Sequence, residues 1–254
     1  MKLLKVLQVK EKELICLVGG GGKTTTMYAL AKALSLQGQN VGISTTTSIF
    51  YPDKGEVDRF ILKENTEKLH RVLYSKVKNN KIIGFGANIT PERKVKGIDG
   101  QEIDQIYKMG YFDYLIIEGD GAKGKPLKAP AEHEPVIPSL TTMVLMVIGI
   151  DGHGVILNEE NVHRPHLISK ITGIPLGEAL TSVGIATLVK NNKGLMKAIP
   201  SNARIFLLIN KVDSQERYRL AAKIAREILD KDDSRIERIL LCNMLTEEQV
   251  LEVY

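Results

Sequence analysis

The chain has 254 residues, of which 43% are hydrophobic and 26% charged, a composition that indicates a globular protein with a sizeable core and excludes a disordered chain. The absence of tryptophan and an aromatic content of 5% argue against a surface that stacks on bases, so nucleic acid is not an expected partner. Lysine and arginine (35) exceed aspartate and glutamate (30), and the net charge of +5 is mild and suits small anionic ligands.

Two features of the sequence bear on location. Cys16 and Cys242 both lie inside apolar runs without metal-binding spacing, and we expect buried, reduced thiols. The first ten residues lack the long apolar region of a signal peptide, and the longest apolar stretch, 143–150, is too short to span a bilayer. The expected location is therefore the cytoplasm, with no membrane partner.

Short apolar runs and helical periodicities alternate along the first half of the chain. Strands are predicted at 14–18, 41–44, 60–62 and 82–85. Between the first two, a helix closed by Gly38 places on one face Met27, Leu30, Ala31 and Leu34. A second helix, which begins at Thr66, does the same with Leu69, Val72, Leu73 and Val77.

The second half of the chain continues the alternation. A helix is predicted after Gly100, strands at 114–117 and 143–150, and a helix at 183–189. A strand at 205–209 precedes a helix that is capped by Ser214 and directs inward Leu220, Ile224, Ile228 and Leu229. A strand at 236–241 follows, and Thr246 and Gln249 form a capping box that predicts a short terminal helix.

This alternation predicts a single α/β domain over 1–254, with a mostly parallel sheet and helices on both faces, of the P-loop NTPase-like class. Segment 119–138 interrupts the pattern, because it carries four prolines and several lysines without apolar periodicity. It follows a strand end, where open α/β sheets bind their ligands, and long ordered loops in compact domains tend to be functional.

A glycine-rich loop joins the first predicted strand to the first predicted helix. Its residues are Gly19, Gly20, Gly21, Gly22, Lys23, Thr24 and Thr25. Glycines let backbone N–H groups converge on an anion at the positive end of a helix, Lys23 supplies a charge for the β and γ phosphates, and the hydroxyl of Thr24 binds Mg²⁺. The spacing is the short G-x-x-G-K-T-T form, also seen in Mur-type ligases, since the first glycine of the longer form would fall at Leu17. The loop predicts a nucleoside triphosphate site, and we expect an exposed Lys23 whose replacement by alanine leaves the fold intact.

Two acidic residues follow the strand at 114–117. Glu118 and Asp120 are two residues apart, so in extended chain both side chains point to the same side. A carboxylate at a strand end beside the phosphate loop holds Mg²⁺ or its waters, which predicts catalytic and metal-binding roles for both residues alongside Lys23 and Thr24. The threonine run 45–47, at another strand end, is equally compatible with a role near the γ-phosphate and with ordinary strand material.

The strand at 205–209 leads into Asn210-Lys211-Val212-Asp213, an N-K-x-D string. In GTPases this string reads guanine: the carboxylate accepts hydrogen bonds from the base and the lysine stem packs on it. We therefore assign Asn210, Lys211 and Asp213 to nucleotide binding, which favours GTP over ATP.

The histidines and the loop lysines leave several roles open. His163 and His166 flank Pro165, and a metal site there is the less favoured interpretation. Lys123, Lys125 and Lys128 lie beside the predicted phosphate site, where anion recognition and a solvated surface are equally compatible with the sequence. Arg164 is a candidate for stabilising charge on a transferring phosphoryl group.

Five strings together carry a family resemblance: VGGGGKTTT, STTTSIF, EGDGAKGKPLKAPAEHEPVIP, VHRP and LINKVD. With them the chain resembles the YqeC-type proteins, accessory proteins of selenium-dependent molybdenum hydroxylases. The resemblance implies a nucleotide-binding helper in the maturation of a molybdenum enzyme, with that enzyme or its cofactor as partner, and carries phosphate-loop roles to Lys23 and Thr24 and acidic-loop roles to Glu118 and Asp120.

Three functions stay open on the sequence. The first is a slow GTPase or ATPase whose loops respond to the γ-phosphate. The second is a GTP- or ATP-dependent kinase or ligase that activates a small anion held by Lys123, Lys125 and His133. The third is a non-hydrolytic binder of a molybdopterin dinucleotide. The first is favoured.

Overall fold

A computed structural model describes residues 2–76, 81–230 and 235–254. Within these ranges the helices are α1 Leu3–Leu7, α2 Lys23–Ser35, α3 Thr66–Lys76, α4 Gly100–Lys108, α5 Pro165–Thr172, α6 Ser182–Lys190 and α7 Gln215–Leu229. The strands are β1 Glu13–Gly19, β2 Val41–Thr45, β3 Ser48–Phe50, β4 Arg59–Leu62, β5 Ile82–Gly86, β6 Asn88–Ile89, β7 Lys94–Lys96, β8 Tyr114–Glu118, β9 Met143–Gly149, β10 Arg204–Asn210, β11 Ile236–Cys242 and β12 Val250–Val253.

The main sheet of the described residues has nine strands in the order β12-β11-β10-β9-β1-β8-β2-β5-β4. All neighbouring strands pair in parallel except β12, which is antiparallel to β11. The fold is therefore α/β with a mostly parallel sheet, as the sequence predicts. A second sheet, β3-β7-β6, is small and antiparallel.

Apolar side chains of β1 alternate between two cores. Leu14, Cys16 and Val18 pack into the core that contains residues of helices α3 to α7, whereas Ile15 and Leu17 pack into the core formed with α1 and α2. Helices therefore cover both faces of the sheet. Because both faces are buried, the central strands are continuous apolar runs, and all seven residues of β1 and of β9 are buried.

Parallel pairing brings the carboxyl ends of several strands to one edge. Leu17 of β1 and Thr45 of β2 both pair with Glu118 at the end of β8. On the other side of β1, Gly149 at the end of β9 pairs with Asn210 at the end of β10. This edge is where an open α/β sheet forms its ligand site.

The sequence expectations hold for the strands at 14–18, 41–44, 60–62, 82–85, 114–117, 205–209 and 236–241, and both cysteines are buried. The capping box at 246–249 is wrong as a helix signal, since β12 follows it and completes the sheet edge. Leu229 was expected to point inward but is 41% exposed, and the predicted inward-facing Val77 lies outside the described residues. In the described ranges no helix has both the length and the apolar character needed to cross a membrane.

Candidate functional site

The glycine loop packs tightly against the end of β9. Gly21 has a φ of +69°, and a Cβ atom there would lie 2.1 Å from the backbone nitrogen of Gly149. Only glycine fits this left-handed conformation and this approach of two backbones. The glycines of the motif are therefore required by the packing of the loop as well as by any ligand.

The first loop amides bond within the protein. Gly19 N–H donates to both carboxylate oxygens of Asp120 at 3.1 Å, and Gly20 N–H donates to the carbonyl of Val147 at 2.8 Å. The first bond within α2 is made by the N–H of Thr26, to Gly22. The amides at 23–25 thus form the first turn of α2, where N–H groups have no partner inside the helix and attract an anion.

Lys23 is buried beneath the loop, with 4% of its side chain exposed. Its ammonium donates to the carbonyl of Gly19 at 2.7 Å and lies 3.3 Å from Asp120 Oδ1 and 3.7 Å from Glu118 Oε1. Burial opposes the charge, but the two carboxylates outweigh it and raise the pKa of Lys23. The expectation of an exposed lysine outside the core is wrong, because its counter-charges come from another strand.

Glu118 lies at the end of β8 and accepts a hydrogen bond from the hydroxyl of Thr24 at 2.7 Å. It is 5% exposed, and burial raises its pKa, opposed by Lys23 and by the Thr24 hydroxyl. The predicted catalytic group of Lys23, Glu118 and Asp120 is therefore assembled around one ammonium, with Thr24 beside it. A hydroxyl next to a carboxylate forms a hard oxygen donor set of the kind Mg²⁺ prefers.

Asp120 begins a chain of alternating buried charges. Lys128, with a fully buried side chain, lies 3.1 Å from Asp120 and donates to Glu134 at 2.5 Å. Arg164, at the start of α5, binds both carboxylate oxygens of Glu134, at 2.5 and 2.9 Å. We call Asp120, Lys128, Glu134 and Arg164 the charge chain. It ties segment 119–138, in which all residues are described and none forms a helix or strand, to the glycine loop and to α5.

A cleft of about 1150 Å³ opens above the loop and is lined by Gly21 to Thr25, Glu118 and the start of segment 119–138. The small sheet forms another wall through β3 and Lys94, whose ammonium lies 5.1 Å from the centre of the Phe50 ring. Nothing in our sequence interpretation assigned this wall. The signal, a three-residue apolar-centred run after the threonines, is too short to predict a strand.

The N-K-x-D residues occupy different environments. Asn210 is buried, donates to the carbonyl of Gly21 at 2.9 Å and accepts from the N–H of Met244 at 3.1 Å, so it braces the glycine loop. Lys211 lines the cleft. Asp213 is exposed on the surface, is absent from the cleft wall and pairs with Arg217 at 2.8 Å. Base reading by these residues stays a prediction.

The threonine run divides in the same way. Thr45 donates to the carbonyl of Glu118 at 2.8 Å and Thr46 to that of Val136 at 2.7 Å, so both stabilise the strand ends. Thr47 lines the cleft.

Among the histidines, His163 lines the cleft, whereas His133, which the kinase or ligase alternative would use to hold an anion, is exposed and lies outside the cleft wall. His166 is exposed on α5 while its partner in the metal hypothesis, His163, is 9% exposed. The described ranges contain no group of three or more His, Cys, Asp or Glu side chains placed to hold a metal. Glu134 was not anticipated, because the pairing that gives it importance joins positions 30 residues apart.

Fold and site together define an α/β protein with a phosphate-binding type of glycine loop and an acidic strand end beside it. The family model described as YqeC protein matches residues 15–166, and the chain is 31% identical over 223 residues to a protein named uncharacterized protein YqeC from Escherichia coli strain K12, covering 88% of this chain and 85% of that one. The chain belongs to the YqeC family.

Among solved structures, a crystal structure of FtsY from Mycoplasma mycoides aligns with 91% of this chain at 13% identity and a TM-score of 0.40. The alignment spans 61% of that chain, less than two thirds of its length. A likeness at this level carries no argument about function, and the fold described above rests on strand order and on the geometry of the loop.

Proposed function

We propose that the chain binds a nucleoside triphosphate with Mg²⁺ at the glycine loop and hydrolyses it slowly. The observation that carries the proposal is the 2.7 Å contact between the Thr24 hydroxyl and the Glu118 carboxylate, at the N-terminus of α2 and next to the ammonium of Lys23. A helix N-terminus, a lysine, a hydroxyl and a strand-end carboxylate are the parts with which phosphate loops hold a triphosphate.

The donor set fits Mg²⁺. Thr24 and Glu118 would hold it, and the ion would neutralise charge that develops on the phosphate oxygens during transfer. Glu118 is held by Lys23 and Thr24, so its carboxylate is already oriented. Asp120 was also predicted as a catalytic residue and metal ligand, and that stays a prediction; its oxygens contact Gly19 N–H, Lys23 and Lys128, contacts that support a role in positioning the loop.

GTP is the favoured nucleotide. Asn210 braces Gly21 and Lys211 lines the same cleft, so the first two residues of the N-K-x-D string lie near the loop that would hold the phosphates. A carboxylate at position 213 would accept paired hydrogen bonds from the N1–H and the exocyclic amine of guanine, whereas adenine offers one donor group, its exocyclic amine, beside an acceptor nitrogen.

The family supplies the biological context of the proposal. The resemblance of the chain to YqeC-type proteins points to an accessory role in the maturation of a selenium-dependent molybdenum hydroxylase. In this role, nucleotide hydrolysis would control when the protein contacts that enzyme or its cofactor. The start of segment 119–138 lines the cleft and the segment contacts the glycine loop, so it is the part of the chain best placed to respond to the γ-phosphate.

The test is calorimetric titration of the purified protein with GTP and with ATP, each with Mg²⁺. We expect binding that favours GTP and that falls about tenfold or more in Thr24→Val, which keeps the shape of the side chain and removes the hydroxyl. Thr187→Val is the matched control, because Thr187 lies on α6 and bonds only to its own helix. Phosphate release with GTP alone measures the hydrolysis.

The alternatives give different results in the same experiment. Preference for ATP discards the N-K-x-D assignment. Binding without phosphate release, even with a partner present, favours the non-hydrolytic binder and makes a molybdopterin dinucleotide the next ligand to titrate. Equal binding of both nucleotides to wild type and Thr24→Val removes the glycine loop from the account.

A further inference from the structure

We propose that the cleft binds a second, tetrahedral oxyanion between Lys123, His163 and Arg164, separate from the phosphates of the nucleotide. The inference rests on the proposed function only for the nucleotide that would bind at Thr24 in the same cleft. It names the chemical class of a second substrate: phosphate, or a phosphate-like group on a larger molecule.

The cleft has room for a second ligand. Its volume of about 1150 Å³ lies above the range of about 300–1000 Å³ usual for a small-molecule site. Lys23 and Thr24 begin α2 and Glu118 ends β8, whereas Lys123, His163 and Arg164 come from segment 119–138 and the residues just before α5. The two groups are thus supplied by different parts of the chain.

In this second group the charge of Arg164 is paired with Glu134, whereas that of Lys123 is paired with no described acid. Glu134 is neutralised by Lys128 and Arg164, and the same surroundings lower the pKa of Glu134 to about 2 although burial acts in the opposite direction. Lys123 is exposed and forms no ion pair or hydrogen bond with any described residue, so its charge is available to a ligand. An anion is the complement of such a wall.

The pKa of His163 is sensitive to the positive charges around the proposed anion site. Its backbone N–H donates to the carbonyl of Leu127 at 3.0 Å, which holds it against the charge chain. Burial first, and then the cations Arg164, Lys128 and Lys123, lower the pKa of His163 to about 4, with Glu134 opposing them. The imidazole is therefore neutral near neutral pH and offers one donor and one acceptor. A bound oxyanion would offset the cations and return the pKa toward the ordinary value for histidine.

The experiment follows the imidazole signals of the full-length protein by NMR between about pH 5 and pH 8. His163→Gln identifies the signal among the five histidines. Inorganic phosphate is the probe, added in the presence of saturating Mg²⁺ and a non-hydrolysable β,γ-imido analogue of GTP. We expect His163 to stay neutral without phosphate and to titrate within this range with phosphate.

Two variants show which charge is responsible. Lys123→Gln is expected to weaken phosphate binding about tenfold or more, since a charge-assisted contact is lost. Lys170→Gln makes the same change of net charge at an exposed position of α5 outside the cleft wall and is expected to bind like wild type.

The outcomes separate this inference from the nucleotide proposal. Phosphate that shifts His163 only when the analogue is absent, and that competes with it, means a single anion site and overturns the inference while the proposed function stands. No response of His163 to phosphate, or an equal response in Lys123→Gln, overturns it as well. Failure of the analogue to bind while the phosphate response persists overturns the proposed function and supports the anion site.

Discussion

Replacing Lys23 by methionine tests whether the lysine is a buried counter-ion, as its geometry implies. Methionine keeps most of the alkyl volume, so little cavity forms, and the loss is mainly that of the charge. The ammonium leaves behind two carboxylates, Glu118 at 5% and Asp120 at 1% exposure, and the carbonyl of Gly19 that it bonds at 2.7 Å.

The loss of stability in Lys23→Met depends on which partners Glu118 and Asp120 keep when the ammonium is gone. Breaking a buried ion pair by removing one partner costs about 3–5 kcal/mol. Asp120 keeps Lys128 at 3.1 Å and the N–H of Gly19, and Glu118 keeps the hydroxyl of Thr24 at 2.7 Å. The expected loss in the free energy of unfolding therefore lies at the lower end, about 3 kcal/mol.

The stability that Lys23→Met loses also depends on pH, and the pKa of Glu118 gives the direction. Burial raises the pKa of Glu118 in the folded protein, and removal of Lys23 raises it further. A carboxyl whose folded pKa is above its unfolded value contributes stability below the unfolded pKa, and this contribution is lost as the pH rises through the folded pKa. The deficit of Lys23→Met is thus largest at neutral pH and shrinks as the pH falls.

Urea unfolding at about pH 7.5 and about pH 5.5 measures both effects. Lys32→Met, at an exposed position on the same helix, is the matched control and should unfold like wild type. Adding Glu118→Gln to Lys23→Met should recover about 1–3 kcal/mol, the coupling expected of neighbours in one network. Wild-type stability of Lys23→Met, or a deficit that does not change with pH, would refute the buried-pair geometry.

Three further predictions concern the charge chain and the N-K-x-D string. Glu134→Gln should lower the free energy of unfolding at neutral pH by about 2 kcal/mol; because the folded pKa of Glu134 is depressed to about 2, the difference should vanish as the pH falls from about 4.5 toward 2 in acid-unfolding curves. Asn210→Ala should cost about 2 kcal/mol in urea unfolding, since it leaves the buried carbonyl of Gly21 without its donor, and unchanged stability would contradict the bracing contact. Asp213→Asn should shift preference from GTP toward xanthosine triphosphate in competition binding, whereas an unmoved preference removes Asp213 as a base reader.

Most strands of the sheet were predictable because burial on both faces gives each of them a recognisable local sequence pattern. A parallel strand buried on both faces must be apolar at every position, so β1, β8, β9 and β10 appear in the sequence as uninterrupted apolar runs. The terminal strand was not predictable in this way. Thr246 and Gln249 satisfy the local pattern of a helix start, but Val250–Val253 gains more by pairing with β11, a partner that local patterns do not reveal.

The phosphate loop was recognisable because its glycines, lysine and threonines are consecutive in the sequence. The charged residues that surround it come from distant positions and were not recognisable in this way. Thr24 and Glu118 are 94 residues apart, and Glu134 meets Arg164 30 residues further along the chain. Sequence patterns therefore indicated which residue types the site needs but not that Lys23 is buried among them. The place of His163 in the cleft has the same origin, since the bridge between positions 128 and 163 joins segments that are far apart in the sequence.

The charges around the loop determine which substitution reports on phosphate binding most directly. If the proposed triphosphate binds at the N-terminus of α2, its phosphate would compete with Glu118 and Asp120 for the ammonium of Lys23; of these two carboxylates, Asp120 also contacts Lys128. A divalent cation beside Thr24 would then compensate the charge of Glu118, so in the proposed function the roles of Lys23 and the metal are coupled. Any change at Lys23 alters the stability of the loop together with its affinity. Thr24→Val leaves the ion pairs of Lys23 in place but removes the hydrogen bond to the buried Glu118, so its effect on triphosphate affinity is read together with urea unfolding of the same variant.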